Sequence, residues 1–349
     1  MSLSASRITA VVFDVERFNW VEVDPESVIM GSERIFDWKY TAGCDWHIFD
    51  VHQVSRANDG ADNLAYFSAR TVPLTIPPTY QTVEIEQKAK GRGLTSGTST
   101  SASALFYSSS RNILYVGASD PTRIITYGSP IGGSRIKSVR GHYNIDRFHW
   151  IHSFAIRTGG SIQEYPVAYI LGKEESNSEN YYLAGVTLKD GPSRLSQDSE
   201  FRHLMPSNPS SVTVDPHALY AWVPCDPHTV RRVHLKDGVL VDPDIALDGY
   251  SPFGPVFIQG RGGKLFAAFA LKGGNVQCIP VEGDIENEKF TIPCAEPSEL
   301  VEGDIGKLWA FSSDGRILTE IDVVNKCVVQ SGSLKNFPGV PHCARFESR

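Results

Sequence analysis

Histidines set beside aromatic residues recur along this chain, and each group joins a proton-transfer side chain to flat apolar surface. Trp46 and His47 form the first group; Tyr143, Arg147, Phe148, His149, Trp150 and His152 form the densest; Tyr250 with Phe253, and Phe337 with His342, form the last two. Imidazole titrates near neutral pH and there donates or accepts a proton. Trp and Tyr add apolar area with a polar tip, the usual lining of a small-molecule pocket. On this reading His47, His149, Arg147 and His342 are the candidate catalytic groups, the histidines moving protons and the guanidinium stabilising developing negative charge. Trp46, Tyr143, Trp150, His152, Tyr250 and Phe253 are the candidate substrate-binding groups. Asp50, Asp215, Glu302 and Asp304 join the list as general bases if they are buried.

Chemistry that leaves a clear signature is missing. There is no HExxH, no GxSxG elbow, no P-loop and no GxGxxG between a strand and a helix, so the expectation is an enzyme with no metal and no cofactor. The six cysteines, Cys44, Cys225, Cys278, Cys294, Cys327 and Cys343, contain no CxxC pair, and free buried thiols are expected. A net charge of −7 with 33 scattered Lys and Arg gives no drive toward phosphate backbones, so no nucleic-acid partner is expected. No run reaches the roughly 20 apolar residues of a membrane helix. Residues Met1 to Thr9 lack the apolar core of a secretory signal, and the expected location is cytoplasmic, secretion remaining open if a leader has been removed. The oligomeric state is left open.

The elements that must position these groups are strands. Apolar positions alternate by two far more often than they recur at three and four. Seven copies of an apolar doublet begin at Val12, Leu64, Leu114, Val167, Leu219, Leu265 and Leu308, at spacings of 52, 50, 53, 52, 46 and 43. In the clearest copies a second strand follows after a polar turn: Leu219 to Val223 then Thr229 to Leu235, Leu265 to Phe269 then Asn275 to Ile279, Leu308 to Phe311 then Arg316 to Ile321. A further short strand precedes most doublets, as in Leu105 to Tyr107, Phe154 to Ile156, Val212 to Val214 and Pro255 to Ile258. A period of about 40 to 50 residues with several short strands per copy predicts a β-propeller. The expectation is therefore an all-β, closed propeller of about seven blades, six being possible, occupying 1–349 as one domain. Its first blade lacks a leading strand before Val12, and Cys343 to Phe346 supplies it from the other end of the chain. The Gly/Ser/Thr-rich stretch from Gly91 to Ser103 is read as a long loop, since the spacing runs on across it.

The unit Leu219 to His234 resembles the repeats of gluconolactonase and strictosidine-synthase-like propellers, a resemblance that implies a divalent metal held by separated Glu, Asn and Asp; no such ligands are placed here. Ser161 to Tyr165 and Arg316 to Ile321 resemble strands of fungal fucose-binding lectins, which implies sugar sites repeated blade after blade. Here Thr126, Arg232 and Cys278 stand where an acid is wanted, and the six tryptophans share no repeat position. Diverged blades fit one asymmetric pocket instead, and in architecture the chain is similar to cofactor-free propeller enzymes of fungal natural-product pathways, hetero-Diels-Alderases among them. The leading expectation is a cofactor-independent small-molecule enzyme, a cyclase, isomerase or cycloaddition catalyst, whose partner is an aromatic or apolar organic molecule. A glycan-binding lectin is the alternative and a protein-interaction scaffold the third reading.

Overall fold

The computed structural model describes residues 6–14, 17–41, 52–55, 63–68, 82–84, 101–108, 113–119, 122–128, 139–145, 148–157, 165–175, 178–188, 199–226 and 228–347. Strands follow one another in antiparallel meanders. β1 (Arg7–Asp14), β2 (Arg17–Met30) and β3 (Glu33–Tyr40) come first, then β4 (His52–Ser55), β5 (Asn63–Ser68) and β6 (Thr82–Glu84) as a three-stranded sheet. Four sheets of four strands follow. They are β7 (Ser101–Ser108) with β8 (Ile113–Ser119), β9 (Arg123–Gly128) and β10 (Val139–Asn144); and β11 (Trp150–Arg157) with β12 (Val167–Lys173), β13 (Tyr182–Thr187) and β14 (Ser199–Leu204). Next are β15 (Thr213–Val214) with β16 (Tyr220–Cys225), β17 (Thr229–His234) and β18 (Leu240–Ala246), then β19 (Val256–Gln259) with β20 (Leu265–Leu271), β21 (Asn275–Pro280) and β22 (Phe290–Pro293).

The last meander is β23 (Pro297–Glu302), β24 (Lys307–Ser312), β25 (Ile317–Asp322) and β26 (Cys327–Ser333), after which β27 (Pro341–Glu347) pairs antiparallel with β1 from Arg7↔Glu347 to Val12↔Pro341. The first sheet thus takes its leading strand from the C-terminal segment, as the sequence predicts. A parallel bridge, Ser333↔Ile35, joins β26 to β3 and merges the last meander with the first into eight strands. With that sheet counted as two meanders, the described residues form seven repeats, and the seven apolar doublets fall on, or directly before, the second strand of each. The chain is an all-β propeller.

The described residues form two compact units, one from those within 1–44 and 246–349, the other from those within 45–74 and 79–245. In the first, Ile8, Val12, Val23 and Phe36 pack with Trp309, Phe311 and Leu318, while Ile258, Ala268, Val276 and Cys278 meet Leu300, Leu308 and Ile321. In the second, Tyr115 and Ile124 pack with Ile151, Phe154 and Ile170, and Tyr169, Leu171 and Leu183 face Ala221, Val223 and Val233. The strand β12 shows why its sequence is nearly all apolar. Ala168 and Ile170 enter one cluster, while Val167, Tyr169 and Leu171 enter the other, so both faces are buried. Each large side chain so enclosed contributes about 1.5–3 kcal/mol relative to exposure.

Polar groups hold the corners. In the β15–β16 turn the buried Asp215 carboxylate accepts from the backbone N–H groups of His217 (3.0 Å), Leu219 (3.1 Å) and Tyr220 (2.6 Å). Gly315 turns the chain between β24 and β25 at φ +71, and a Cβ there would lie 2.0 Å from the Gly339 carbonyl oxygen. Where β26 meets the first sheet, Glu320, only 5% exposed, receives Lys307 Nζ at 2.5 Å and Gln330 Nε2 at 2.7 Å, and Gln330 Oε1 accepts from Ser27 Oγ at 2.9 Å and Arg34 Nη1 at 3.0 Å. Cys225, Cys278 and Cys294 are free and buried, and Cys327 is free and exposed. Burial pushes the thiols of Cys225 and Cys278 up to about 12, which makes them inert packing groups. Among the described residues the helical elements are a one-turn helix, α1 (Ile285–Glu288), and a 3-10 turn at Arg261–Gly263, and no helix is long and apolar enough to cross a membrane.

Candidate functional site

The leading strand β11 opens on a β-bulge. Ile151 pairs with Gly172 and Ser153 with Leu171, which leaves His152 as an extra residue without a partner across the ladder. A bulge re-aims the side chain it carries and bends the strand. The irregularity recurs at the entry of three other leading strands, where Ser103 of β7, Ser298 of β23 and His342 of β27 are passed over by the register. Two of the four bulged residues are histidines singled out from the sequence.

Around His152 the second unit gathers an aromatic cluster. The imidazole meets the Trp150 ring edge-on at 5.5 Å and the Tyr181 ring edge-on at 5.5 Å. Lys173, at the end of β12 and paired with Trp150, places Nζ 4.8 Å from the Tyr181 ring centroid. His152 Nε2 lies 3.0 Å from the Ser210 carbonyl oxygen. A carbonyl has no proton to give, so Nε2–H is the donor and the neutral ring carries its lone pair on Nδ1. Burial holds the His152 pKa below the usual imidazole value and the Lys173 charge adds to this, while the Ser210 carbonyl opposes it. The ring is therefore neutral at pH 7. One residue beyond Ser210, the buried Ser211 Oγ has no hydrogen-bond partner among the described residues, and Val212 N–H donates to Ser153 Oγ at 3.2 Å.

Backbone fit keeps this corner tight. A Cβ on Gly172 would sit 2.4 Å from the Trp150 carbonyl oxygen and 2.9 Å from the Phe148 ring, so only glycine lets β12 run this close to the bulge. His149 N–H donates to the Lys173 carbonyl at 2.8 Å, and Thr122 Oγ1 donates to the His149 carbonyl at 2.6 Å.

Of the residues predicted from sequence, Trp150 and His152 are brought together. His149 is pinned through its backbone with its side chain exposed. Tyr143 lies on β10, the last strand of its sheet, partly buried against the core that includes Phe148. In the first unit Tyr250 has Lys272 Nζ 5.4 Å from its ring centroid, and Phe253 is 55% exposed while its carbonyl accepts from Ser251 Oγ at 2.9 Å. His342 occupies the bulge of β27. Trp46, His47 and Arg147, with Asp50, lie outside the described residues. Asp215 has its oxygens committed to the turn, and Glu302 and Asp304 are exposed, Glu302 with its pKa raised by desolvation. Among the described residues no three His, Cys, Asp or Glu side chains converge as a metal site requires.

Tyr181 and Lys173 were missed. In a meander the turn between the second and third strands lies at the same end as the entry to the first. Both residues flank that turn, and searching it for aromatic and basic residues finds them.

No family model matches the chain, and no curated protein matches it. Among solved structures, a Bacteroides fragilis protein described as a candidate 6-phosphogluconolactonase aligns over 100% of this chain and 99% of its own length, with a TM-score of 0.61 and 12% identity. Dihydro-heme d1 dehydrogenase NirN overlaps 69% of this chain at 12% identity and a TM-score of 0.44, and BamB of Moraxella catarrhalis overlaps 68% at 10% identity and 0.40. This chain spans about half the length of NirN, 49%, and 63% of BamB. The full-length likeness at 12% identity is one of fold, and the fold is a β-propeller.

Proposed function

We propose that this chain is a small-molecule enzyme that works without a cofactor, binding one organic ligand with an aromatic or apolar ring at the Trp150, His152 and Tyr181 cluster. The observation that carries this reading is the bulged His152, with Nε2–H committed to the Ser210 carbonyl and flanked edge-on by two aromatic rings. Such a ring is a general base acting through Nδ1, and the nearby Lys173 ammonium stabilises a developing oxyanion. The pair suits removal of a proton next to a carbonyl: the C–H proton passes to Nδ1 and the electron pair to the carbonyl oxygen. Return of the proton at another carbon gives an isomerase; attack of the enolate carbon on a second carbonyl of the same molecule, whose C=O electron pair moves to oxygen and takes back the proton from Nδ1, gives a cyclase. A base has no part in a concerted cycloaddition, so the isomerase or cyclase form is favoured.

The lectin alternative needs like sites in successive blades. The residues that open the leading strands are His52, Ser101, Trp150, Thr213, Val256, Pro297 and Pro341, so the tryptophan of the cluster is not repeated there. A thermal-shift screen of phenolic and polycyclic metabolites, free sugars and divalent metals, with and without chelator, tests the reading. The expected result is stabilisation by an aromatic metabolite at one site per chain, unaffected by chelator and lost in Trp150→Ala and His152→Ala. Stabilisation by one sugar class at several sites would overturn it.

A further inference from the structure

Arg232 is a buried cation with no counter-charge among the described residues. It lies on β17, 7% exposed, directly across from Trp222 on β16, and its guanidinium carbon sits 5.3 Å from the Trp222 ring and 5.1 Å from the Tyr220 ring. Its Nε has no hydrogen-bond partner among the described residues. The neighbouring cation behaves differently: Arg231 points to the other face, where Asp244 takes Nη2 at 2.7 Å and Nε at 2.9 Å. Burial lowers the Arg232 pKa, and no carboxylate among the described residues offsets it. Taking an ionised group out of water is unfavourable unless something compensates it, and among the described residues the compensation here is the two ring faces alone.

The same face is partly exposed next to Arg232. His234 is two residues along β17, opposite Tyr220, with ring centroids 5.6 Å apart, and both are partly exposed whereas Trp222 is fully buried. His234 Nδ1 lies 2.8 Å from Asp237 Oδ1, and that oxygen also accepts from Val239 N–H at 3.1 Å, so the carboxylate is held by its own turn. With Nδ1–H turned to Asp237, Nε2 is the ring nitrogen left to meet a ligand, donating to an oxyanion in the imidazolium form and accepting from a protonated ligand oxygen in the neutral form.

We propose that Arg232, with His234 at the entrance and the Tyr220 and Trp222 rings as walls, binds a small oxyanion, the carboxylate, sulfate or phosphate group of a ligand. A planar guanidinium presents paired donors to such a group. This site is separate from the His152 cluster and does not depend on its assignment.

The test uses the full chain and inorganic sulfate, phosphate and acetate, each against chloride at equal ionic strength. The expected result is a saturable rise in Tm with at least one oxyanion, weakened about tenfold or more in Arg232→Met. Without oxyanion, Arg232→Met is itself expected to melt higher than the parent, because it removes an unpaired buried charge; a purely structural Arg232 would make it melt lower. Should Arg232→Met fail to fold, crystals of the parent grown with selenate supply the answer through the anomalous signal, which is expected against the Arg232 guanidinium. No oxyanion-specific rise, an unchanged rise in Arg232→Met, or selenate bound only elsewhere would each overturn the proposal.

Discussion

His152 keeps its Nε2–H bond to the Ser210 carbonyl in either protonation state, so protonation adds a charge without adding that contact. Burial, the largest influence, and the Lys173 ammonium disfavour the imidazolium and together outweigh the Ser210 and Pro209 carbonyls, which favour it. The folded-state pKa is thus below the ordinary 6.5 at which the unfolded chain titrates. Above that value both states are neutral and the contribution to stability is complete. As pH falls through it the unfolded chain takes up the proton first, and stability is lost until the folded-state pKa is passed. Urea midpoints compared at about pH 7.5 and about pH 5.5 are expected to fall further in the parent than in His152→Gln, and equal falls would show that the ring is not held neutral. At this scale the sequence disclosed residue types but not their relations. Trp150 and His152 stood out because aromatic and imidazole groups crowd there. Their roles did not, since the reading gave catalysis to His149 and binding to His152. One extra residue in a strand reverses which face a side chain takes, and alternation alone does not show where it is inserted.

Gly172 is where strand geometry and site geometry meet. It pairs with Ile151 beside the bulge, and any side chain there would press on the Trp150 carbonyl, a backbone atom that cannot swing away. Gly172→Ala is expected to cost about 1–3 kcal/mol, the range of overpacking changes, and to abolish ligand-induced stabilisation by displacing Trp150 and His152. Denaturant titration with and without the ligand checks both effects; a loss below about 0.5 kcal/mol, the scale of neutral surface changes, would mean that β11 shifts freely and that the bulge does not fix the site. Elements themselves were legible to a high degree. The doublets at Val167, Leu219, Leu265 and Leu308 mark second strands because β12, β16, β20 and β24 are buried on both faces, which demands consecutive apolar residues, and β12 shows the rule in full. The return of Cys343 to Phe346 onto β1 was legible because a four-strand period left the first copy short. The bridge from Ser333 to Ile35 was not, since it is made by backbone between the last strands of two meanders and leaves no mark in side-chain pattern.

Two compact units built from one repeated meander raise the question of how the chain unfolds. The first and last described strands, β1 and β27, pair within the first unit, and the second unit is built from residues between 44 and 246. Stacked repeats couple chiefly to their neighbours, and cooperativity across a whole array needs each interface to be strong relative to the repeat it joins. Within each unit the core clusters are shared between consecutive four-stranded meanders, so none of these can leave without exposing its neighbour's face. The doublet spacing also runs through the chain without a break at either junction. We propose that 1–349 is one domain with one cooperative transition. Calorimetry is expected to give a single peak whose calorimetric and van't Hoff enthalpies agree, and a ligand bound at the His152 cluster is expected to move the whole peak. Two peaks, with that ligand raising only one of them, would divide the chain into two independently melting domains and confine the ligand's effect to the unit that holds His152.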